Sequence, residues 1–442
     1  MRRGVARAGL WAAVVAGATG VPGAVVAPGA LGAVVATVAF GGCADERHGA
    51  EDARDATVGD ATNGDVGGDD DGSADDTDVG GETASDSAHE AEAVGSEATW
   101  IELRVDAREV AIVGGRSAAL TFEVPPDALA VSIVVVGVAP TLYALDSWTT
   151  PAATLVDAGW LDTDPGAFLQ LCAGCANRIW AIPGVFSAVA PNAPDVLLAP
   201  GTHTVTLLSD PPTSETVRVW VHFKRPVASG ASLPAAGTLD LDLYFTGAQG
   251  LSAATAPSDP AFQARLAAVA AIYAEVGLVF GRVAYADVDP RFRDIESING
   301  ADSDLAALFA TGRDDPAAAN LYFVDSIFEG GNFFGFSGGI PGPTALDGTG
   351  RSGVAIALAP IPGFPDMVNT TIAHELAHFL GLYHTSEARP VGKPQIDDAL
   401  SDTPSGPSTN LMHFMGGGET LTPMQGVVMR TSFWTRHPLE AP

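Results

Sequence analysis

Apolar and polar positions alternate along several short runs between residues 100 and 225. The clearest are AALTFEV, AVSIVVVGV, HTVTLL and TVRVWVHF, and turn-forming Pro, Gly and Asp residues separate them. A two-residue period and β-branched side chains are typical of strands that turn one face to a core. No helix-period segment of useful length interrupts these runs. The sequence therefore predicts an all-β sandwich domain over residues 99–228.

The pattern changes after about residue 237, where strand-like and helix-like runs alternate. TLDLDLYF alternates strictly, as a half-buried strand does, and SDPAFQARLAAVAAIYAEVG is a helical pattern between Pro260 and Gly277. Its apolar stripe consists of Phe262, Leu266, Val269, Ile272, Tyr273 and Val276. LVFGRVAY, a helix near residues 303–311, NLYFVD, a Gly-rich loop (GGNFFGFSGGIPGP) and the strand GVAIAL follow. We predict an α+β domain over residues 229–442, with helices packed on a mixed sheet.

The chain begins with a segment typical of export. Residues 1–42 combine a basic start with a long apolar run, and Gly41 and Gly42 precede Cys43, as in a cleaved signal peptide. A cysteine at this point resembles the bacterial lipobox, in which the cysteine carries lipid. An uncleaved membrane helix is the alternative, but its two prolines and many glycines disfavour a helix. We expect an exported protein of the bacterial cell envelope, attached to the membrane through Cys43.

An acidic segment follows Cys43. Residues 45–98 hold eighteen acidic side chains against two arginines, and almost no large apolar residue. Such a composition cannot bury a core, so residues 43–98 are predicted to form a disordered tether. The segment carries about half of the net charge of −31, so that charge says little about partners of the folded part. No basic patch or aromatic platform indicates nucleic-acid binding.

Two further cysteines, Cys172 and Cys175, stand in the sequence LCAGCAN. A lone C-x-x-C fits a redox pair, half of a zinc site or a small disulfide. There is no second C-x-x-C and no thioredoxin-like pattern around this one. In an oxidising compartment a disulfide is favoured.

The most informative stretch is HELAHFLGLYH, at residues 374–384, which holds three of the nine histidines. His374 and His378 are four residues apart, so on a helix they project from one face and can bind a tetrahedral zinc ion. Glu375 is rotated by about 100° from His374 and can act as a base on a zinc-bound water. Gly381 ends the helix and brings His384 back as the third ligand. The alternative is a buried helix with hydrogen-bonded histidines, which the complete eleven-residue pattern disfavours.

These residues resemble the metzincin metallopeptidases. Thr385, Asp402-Thr403-Pro404, NLMHF with Met412, and LTPMQGVVMR narrow the resemblance to the pappalysin-type family, over residues 237–436. It implies a metzincin-like catalytic domain, a zinc cofactor, and hydrolysis of a peptide or protein substrate. It also implies that Met412 forms a Met-turn beneath the metal. GVAIAL is then the edge strand to which an extended substrate adds.

The sequence departs from this family at Phe414, where members often have a tyrosine. An oxyanion-stabilising phenol is thus missing, which supports the alternative of a catalytically silent, surface-binding lipoprotein on the same scaffold. The intact Glu375 argues against that alternative. Three aspartates are either calcium ligands or turn-forming residues that cap backbone amides, and both interpretations stay open. They are Asp397, Asp398 and Asp402.

Overall fold

The computed structural model describes residues 101–437, apart from a set of internal gaps. The gaps are 103–107, 139, 164–170, 226–232, 234, 313–317, 329–331, 362–365, 388–395 and 404–407. The export segment, Cys43, the acidic tether and the expected domain boundary at residue 228 lie outside the described residues and stay predictions. None of the helices among the described residues is both long and apolar enough to cross a membrane.

Eleven described strands before residue 225 join one hydrogen-bonded sheet, the N-terminal sheet. Its strands are β1 (Ile101–Glu102), β2 (Arg108–Val113), β3 (Arg116–Ser117), β4 (Leu120–Val124), β5 (Ala130–Val136), β6 (Leu142–Thr149), β7 (Thr154–Val156), β8 (Ile182–Pro183), β9 (Val185–Ala190), β10 (Gly201–Asp210) and β11 (Glu215–Lys224). The order is β7-β6-β10-β3-β2-β11-β5-β9, with β1 beside β11, β4 beside β10 and β8 beside β6. One short helix, α1 (Trp160–Thr163), lies between the strands. The strand content agrees with the sequence; the division into two stacked sheets stays a prediction.

The remaining strands form a second, mixed sheet and two small ones. They are β12 (Gly237–Phe245), β13 (Leu278–Asp287), β14 (Asp294–Ile295), β15 (Ala318–Val324), β16 (Ser326–Phe328), β17 (Asn332–Phe333), β18 (Gly335–Ser337), β19 (Val354–Ala357), β20 (Ser386–Glu387), β21 (Ile396–Asp397) and β22 (Thr435–Arg436). The mixed sheet has the order β13-β12-β15-β19-β18, with β22 beside β12. Strands β12, β13, β15 and β19 are parallel, whereas β18 runs antiparallel to β19.

Among the described residues, four helices accompany the mixed sheet, and the first and third of them pack against each other. The helices are α2 (Pro260–Ala274), α3 (Asp304–Phe309), α4 (Val368–Phe379) and α5 (Pro423–Thr431), with short 3₁₀ turns at Ala248–Gly250, Ala256–Ser258 and Pro290–Phe292. Asp259 caps α2 by accepting a hydrogen bond from the Phe262 N–H. The apolar stripe predicted for α2 is buried. Its Tyr273 hydroxyl donates to the Ala373 carbonyl at 2.8 Å, which fixes α4 against α2.

The expectation that GVAIAL forms the sheet edge is wrong. The strand β19 lies between β15 and β18, so the edge is β18, in the glycine-rich stretch that the sequence pattern marked as a loop. The three-residue strand β18 is too short and too rich in glycine to show a strand pattern. Pairing with β19 alone identifies it, through Phe336 opposite Ala355.

Lys224, at the end of β11, joins the N-terminal sheet to the end of α5. Its side chain is fully buried, and its Nζ donates to the carbonyls of Arg430, Ser432 and Thr435 at 2.7, 2.7 and 2.9 Å. Carbonyl groups at a helix C-terminus lack helical partners and carry partial negative charge, so an ammonium group satisfies them. The described residues of the two sheets belong to one compact unit.

Candidate metal centre

Helix α4 and the turn after it place the three histidines of the motif. The helix ends at Phe379, and Gly381 follows with φ of 111°, a conformation that side chains with a Cβ rarely adopt. The Leu382 N–H donates to the Ala377 carbonyl at 3.0 Å, which folds the chain back over the last turn. This reversal returns His384 to the face of α4 that carries the other two histidines.

The imidazole rings of His374, His378 and His384 converge on one point. The His384 Nε2 atom lies 3.2 Å from Nε2 of His374 and 3.1 Å from Nε2 of His378. All three side chains are buried. Within the described part of the chain this is the one group of His, Cys, Asp or Glu side chains with a metal-binding arrangement.

Each ring is oriented by an acceptor at its other nitrogen. The Nδ1 atoms of His374 and His378 donate to the carbonyls of Leu411 and Leu382, at 2.7 and 2.6 Å. In the neutral ring, an Nδ1–H donor leaves a lone pair on Nε2. Burial lowers the pKa of His374 to about 3 and that of His378 well below its usual value, so both rings stay neutral.

The donor set fits zinc. Converging Nε2 lone pairs repel one another and are stabilised by a cation between them. Three nitrogens about 2.0–2.1 Å from a tetrahedral zinc ion lie roughly 3.3–3.4 Å apart. The separations of 3.1 and 3.2 Å are close to this value. A metal at the three histidines is therefore compatible with the structure.

Glu387, which the sequence pattern did not identify, is the acceptor for the third ring. Its Oε2 atom lies 2.8 Å from His384 Nδ1, and both side chains are buried. A carboxylate at this position fixes the ring and makes its Nε2 a stronger ligand. The carboxylate three residues after the third histidine was the available signal, but no residue pattern in the motif requires it.

Glu375 lies on α4, between His374 and His378 in sequence. Its side chain is buried against β18. The Ser337 backbone N–H hydrogen-bonds to the carboxylate, while Oε2 has no hydrogen-bond partner within the described residues. A Cβ added at Gly335 would lie 2.7 Å from Glu375 Cγ, so the glycine provides the space. Burial raises the pKa of Glu375 to about 8, although the Ser337 hydrogen bond lowers it.

The loop containing Met412 hydrogen-bonds to two parts of the chain that carry the histidine cluster. The Leu411 carbonyl binds His374, and the Met412 carbonyl accepts from the N–H of Thr385, next to His384. The Met412 side chain is fully buried in the core cluster that includes Ala373 and Ala377 of α4.

The start of LTPMQGVVMR holds this loop in place from α5. Thr422 and Gln425 form a capping box at the start of α5. The amide of Gln425 also pairs with that of Asn410, through bonds of 3.0 and 3.1 Å. Asn410 Oδ1 in turn accepts from the Met412 N–H at 2.8 Å. The segment therefore acts through Asn410 on the loop beneath the histidines.

Phe414 is half-buried, and its ring centre lies 4.8 Å from that of His413. His413 is close enough to the cluster for the charge of His384 to contribute, after burial, to lowering the His413 pKa. The His413 Nδ1 accepts a hydrogen bond from the Met415 N–H at 3.3 Å.

The three aspartates that could hold calcium differ in their hydrogen-bond partners. Asp398 Oδ1 accepts from the Leu400 N–H at 3.0 Å and from the Thr403 hydroxyl. Asp402 accepts from the Thr422 hydroxyl and the Met424 N–H, at 2.8 and 2.9 Å. These bonds agree with the turn-forming alternative. Asp397 is exposed, and calcium binding stays a prediction.

Cys172 and Cys175 form a disulfide in the described structure, as the sequence favoured. Both cysteines are buried in the core cluster of the N-terminal sheet.

Neither protein-family models nor curated proteins match this chain. Among solved structures, metalloproteinase-II from Bacteroides fragilis is 14% identical; the match covers 48% of this chain and 58% of that protein, with a TM-score of 0.25. An active-site mutant of a family two carbohydrate esterase from Clostridium thermocellum is 10% identical, over 52% of this chain and 66% of that protein, with a TM-score of 0.15. Likenesses at such TM-scores carry no argument, and the function rests on the site itself.

Proposed function

We propose that this protein is a zinc metalloendopeptidase of the metzincin type, with pappalysin-like features. The observation that carries the proposal is the convergence of three buried Nε2 atoms beside a buried glutamate on the same helix. His374, His378 and His384 would hold the metal, and three protein ligands leave the fourth position of a zinc ion open, as in catalytic sites.

The chemistry divides between the metal and Glu375. When bound, zinc polarises a carbonyl and lowers the pKa of water. The charge of a bound zinc ion would lower the raised pKa of Glu375, because a nearby cation favours the carboxylate form. Glu375 would then accept a proton from the attacking water and pass it to the leaving nitrogen, while the new C–O bond forms and the C–N bond breaks. Its Oε2, without a protein hydrogen-bond partner among the described residues, is the atom available for this transfer.

The edge strand β18 supports an extended peptide as substrate. The Ala357 N–H donates to the Phe334 carbonyl, and the Gly338 N–H donates to the Gly353 carbonyl. Backbone groups alternate in direction along an antiparallel strand, so those of Gly335 and Ser337 point away from β19. A substrate strand can pair with the backbone of Gly335 and with the Ser337 carbonyl by β-augmentation, whereas the Ser337 N–H is bonded to Glu375.

Export, lipid attachment at Cys43 and a location in the bacterial cell envelope belong to the same proposal. They are supported by the composition of residues 1–98 alone. The membrane is the expected partner of the anchored chain, and a peptide or protein is the expected substrate.

The test is zinc content and casein cleavage by the full chain, with His384→Ala as the control. We expect one zinc ion per chain and proteolysis in the wild type, and loss of most metal in the variant, since two nitrogens cannot close the site. Absence of stoichiometric zinc in the wild type would refute the proposal. Zinc without any peptide cleavage would favour the catalytically silent scaffold, for which Phe414 is the supporting observation.

A further inference from the structure

The N-terminal sheet reaches the third histidine through the segment 171–182. Leu171, Trp180 and Ile182 of this segment form a buried cluster with Ile340 and Tyr383. Tyr383 directly precedes His384 in the sequence. The apolar contact therefore places a part of the N-terminal sheet against the chain that carries a metal ligand.

Arg178 lies in the middle of this segment and is rigidly held. Its N–H donates to Asn192 Oδ1 at 3.0 Å, and the Asn192 N–H donates to Asn177 Oδ1 at 3.0 Å. Its Nη1 donates to the carbonyl of Ala173, inside the loop closed by the disulfide. An arginine whose backbone and guanidinium are both hydrogen-bonded loses little further conformational entropy when it makes another contact.

Arg178 then bonds across to the segment that follows His384. Its Nη2 donates to the Asp397 carbonyl at 2.8 Å, and its own carbonyl lies 3.3 Å from the Tyr383 hydroxyl. Asp397 is the pairing partner of Ser386 in the small β20–β21 sheet, which contains Glu387. Arg178 thus contacts Tyr383, which precedes His384, and also Asp397, which pairs with the strand that contains Glu387.

Charge supports the same arrangement. Burial lowers the pKa of Arg178, and the nearby carboxylates of Asp398, Glu387 and Asp397 oppose this shift. Glu387 is buried and accepts the hydrogen bond from His384. Burying a carboxylate costs folding free energy unless a positive charge compensates it, and Arg178 supplies that charge from the segment 171–182.

We infer that Arg178 is a positioning residue for the third metal ligand, so that the N-terminal sheet completes the metal centre rather than serving as a separate module. The inference rests on the proposed zinc function. Arg178 acts through Glu387 and the chain around Tyr383, and it does not touch the metal. Replacing Arg178 should therefore lower the affinity for zinc, and it should not disturb residues that contact only the substrate.

The experiment measures Zn²⁺ affinity of the full chain by competition with a chromophoric chelator, for wild type, Arg178→Ala and Arg178→Lys. Loss of an outer partner of a ligand typically weakens metal binding about 10- to 100-fold. We expect a decrease in this range for Arg178→Ala and a smaller one for Arg178→Lys, which keeps the charge. Arg218→Ala is the matched control, because Arg218 is exposed on β11 of the same sheet.

An Arg178→Ala protein that binds zinc within about twofold of wild type, while the wild type binds stoichiometrically, would overturn this inference and leave the peptidase proposal intact. A wild type without zinc would overturn both. If Arg178→Ala does not fold, Tyr383→Phe removes the hydroxyl that lies 3.3 Å from the carbonyls of both Arg178 and Ile340. A severalfold loss of zinc affinity would then support the inference, and unchanged affinity would refute it. The visible spectrum of the Co²⁺-loaded proteins gives a second readout, because a displaced His384 changes the ligand field.

Discussion

The Nδ1 atom of His384 donates a hydrogen bond to Glu387 Oε2 over 2.8 Å, and both side chains are buried. This pair connects the third predicted metal ligand to a carboxylate that lies outside the eleven-residue motif. Its strength should be visible in metal affinity, because the carboxylate orients the ring and raises its basicity.

Replacing Glu387 should weaken zinc binding without removing it. We expect Glu387→Ala to lose about 10- to 100-fold in Zn²⁺ affinity, and Glu387→Gln to lose less, because its amide oxygen still accepts from Nδ1. Chelator competition on the two purified variants measures the difference. Equal affinities for wild type and Glu387→Ala would show that the hydrogen bond has no effect on the metal.

Glu375→Gln should abolish peptide hydrolysis and leave zinc bound. The amide cannot accept the proton from water, and the loss of a general base typically costs about 10²- to 10⁴-fold in rate. Metal content and casein cleavage are measured on the same sample. A variant that loses its zinc would mean that Glu375 is a ligand and not the base.

Gly335→Ala tests the space beside the base. The added Cβ would lie 2.7 Å from Glu375 Cγ and 2.8 Å from Thr371 Cγ2, so the carboxylate must move. A displacement of about 1 Å at a reacting group can lower kcat on the order of 10²-fold. Gly174→Ala is the control, because nothing lies within 4 Å of a Cβ there. Unchanged kcat in Gly335→Ala would show that Glu375 needs no such precise position.

Phe414→Tyr should raise kcat with little change in KM, if the phenol stabilises the oxyanion as the family resemblance implies. One such hydrogen bond contributes on the order of 10²-fold to the rate. The ring is half-buried, so an added hydroxyl can be accommodated. No increase of kcat, in a variant that binds zinc normally, would assign the ring a packing role only.

His222 should make the fold sensitive to acid. The side chain is buried on β11, its ring centre lies 6.4 Å from that of Phe433, and burial lowers its pKa to about 4. The unfolded chain binds the proton at higher pH than the folded one does. Stability is therefore full above the ordinary value of 6.5 and falls between pH 6.5 and 4.

His222→Phe should remove this part of the pH dependence. Between pH 7 and 5 the wild type should lose about 2 kcal/mol more of its unfolding free energy than the variant, at about 1.36 kcal/mol per pKa unit. Urea titrations of both proteins at the two pH values, at equal zinc concentration, measure the difference. Parallel losses in the two proteins would exclude His222 as the cause.

The sequence by itself determined the features that depend on neighbours along the chain. Histidines four residues apart share one helical face, and the glycine after the helix reverses the chain whatever surrounds it. Helix α2 was predicted with its buried stripe because a 3.6-residue period is a local property. The Cys172–Cys175 disulfide was favoured because the start of the sequence predicts export to an oxidising compartment.

Only the tertiary structure decided which distant segments meet. Strand order depends on hydrogen bonds between residues far apart in sequence. The sequence pattern of β19 therefore could not show that β18, and not β19, is the edge strand. Two other contacts likewise form only when separate segments pack together. They are the hydrogen bond from Ser337 to Glu375 and the support that Gln425 gives to Met412 through Asn410. Arg178 and Asp397 are 219 residues apart in sequence, so no local sequence pattern predicts their hydrogen bond. The candidate ligands could be predicted from the sequence because a helix and the glycine turn after it fix their spacing, whereas the partners that orient those side chains exist only once the sheets have packed.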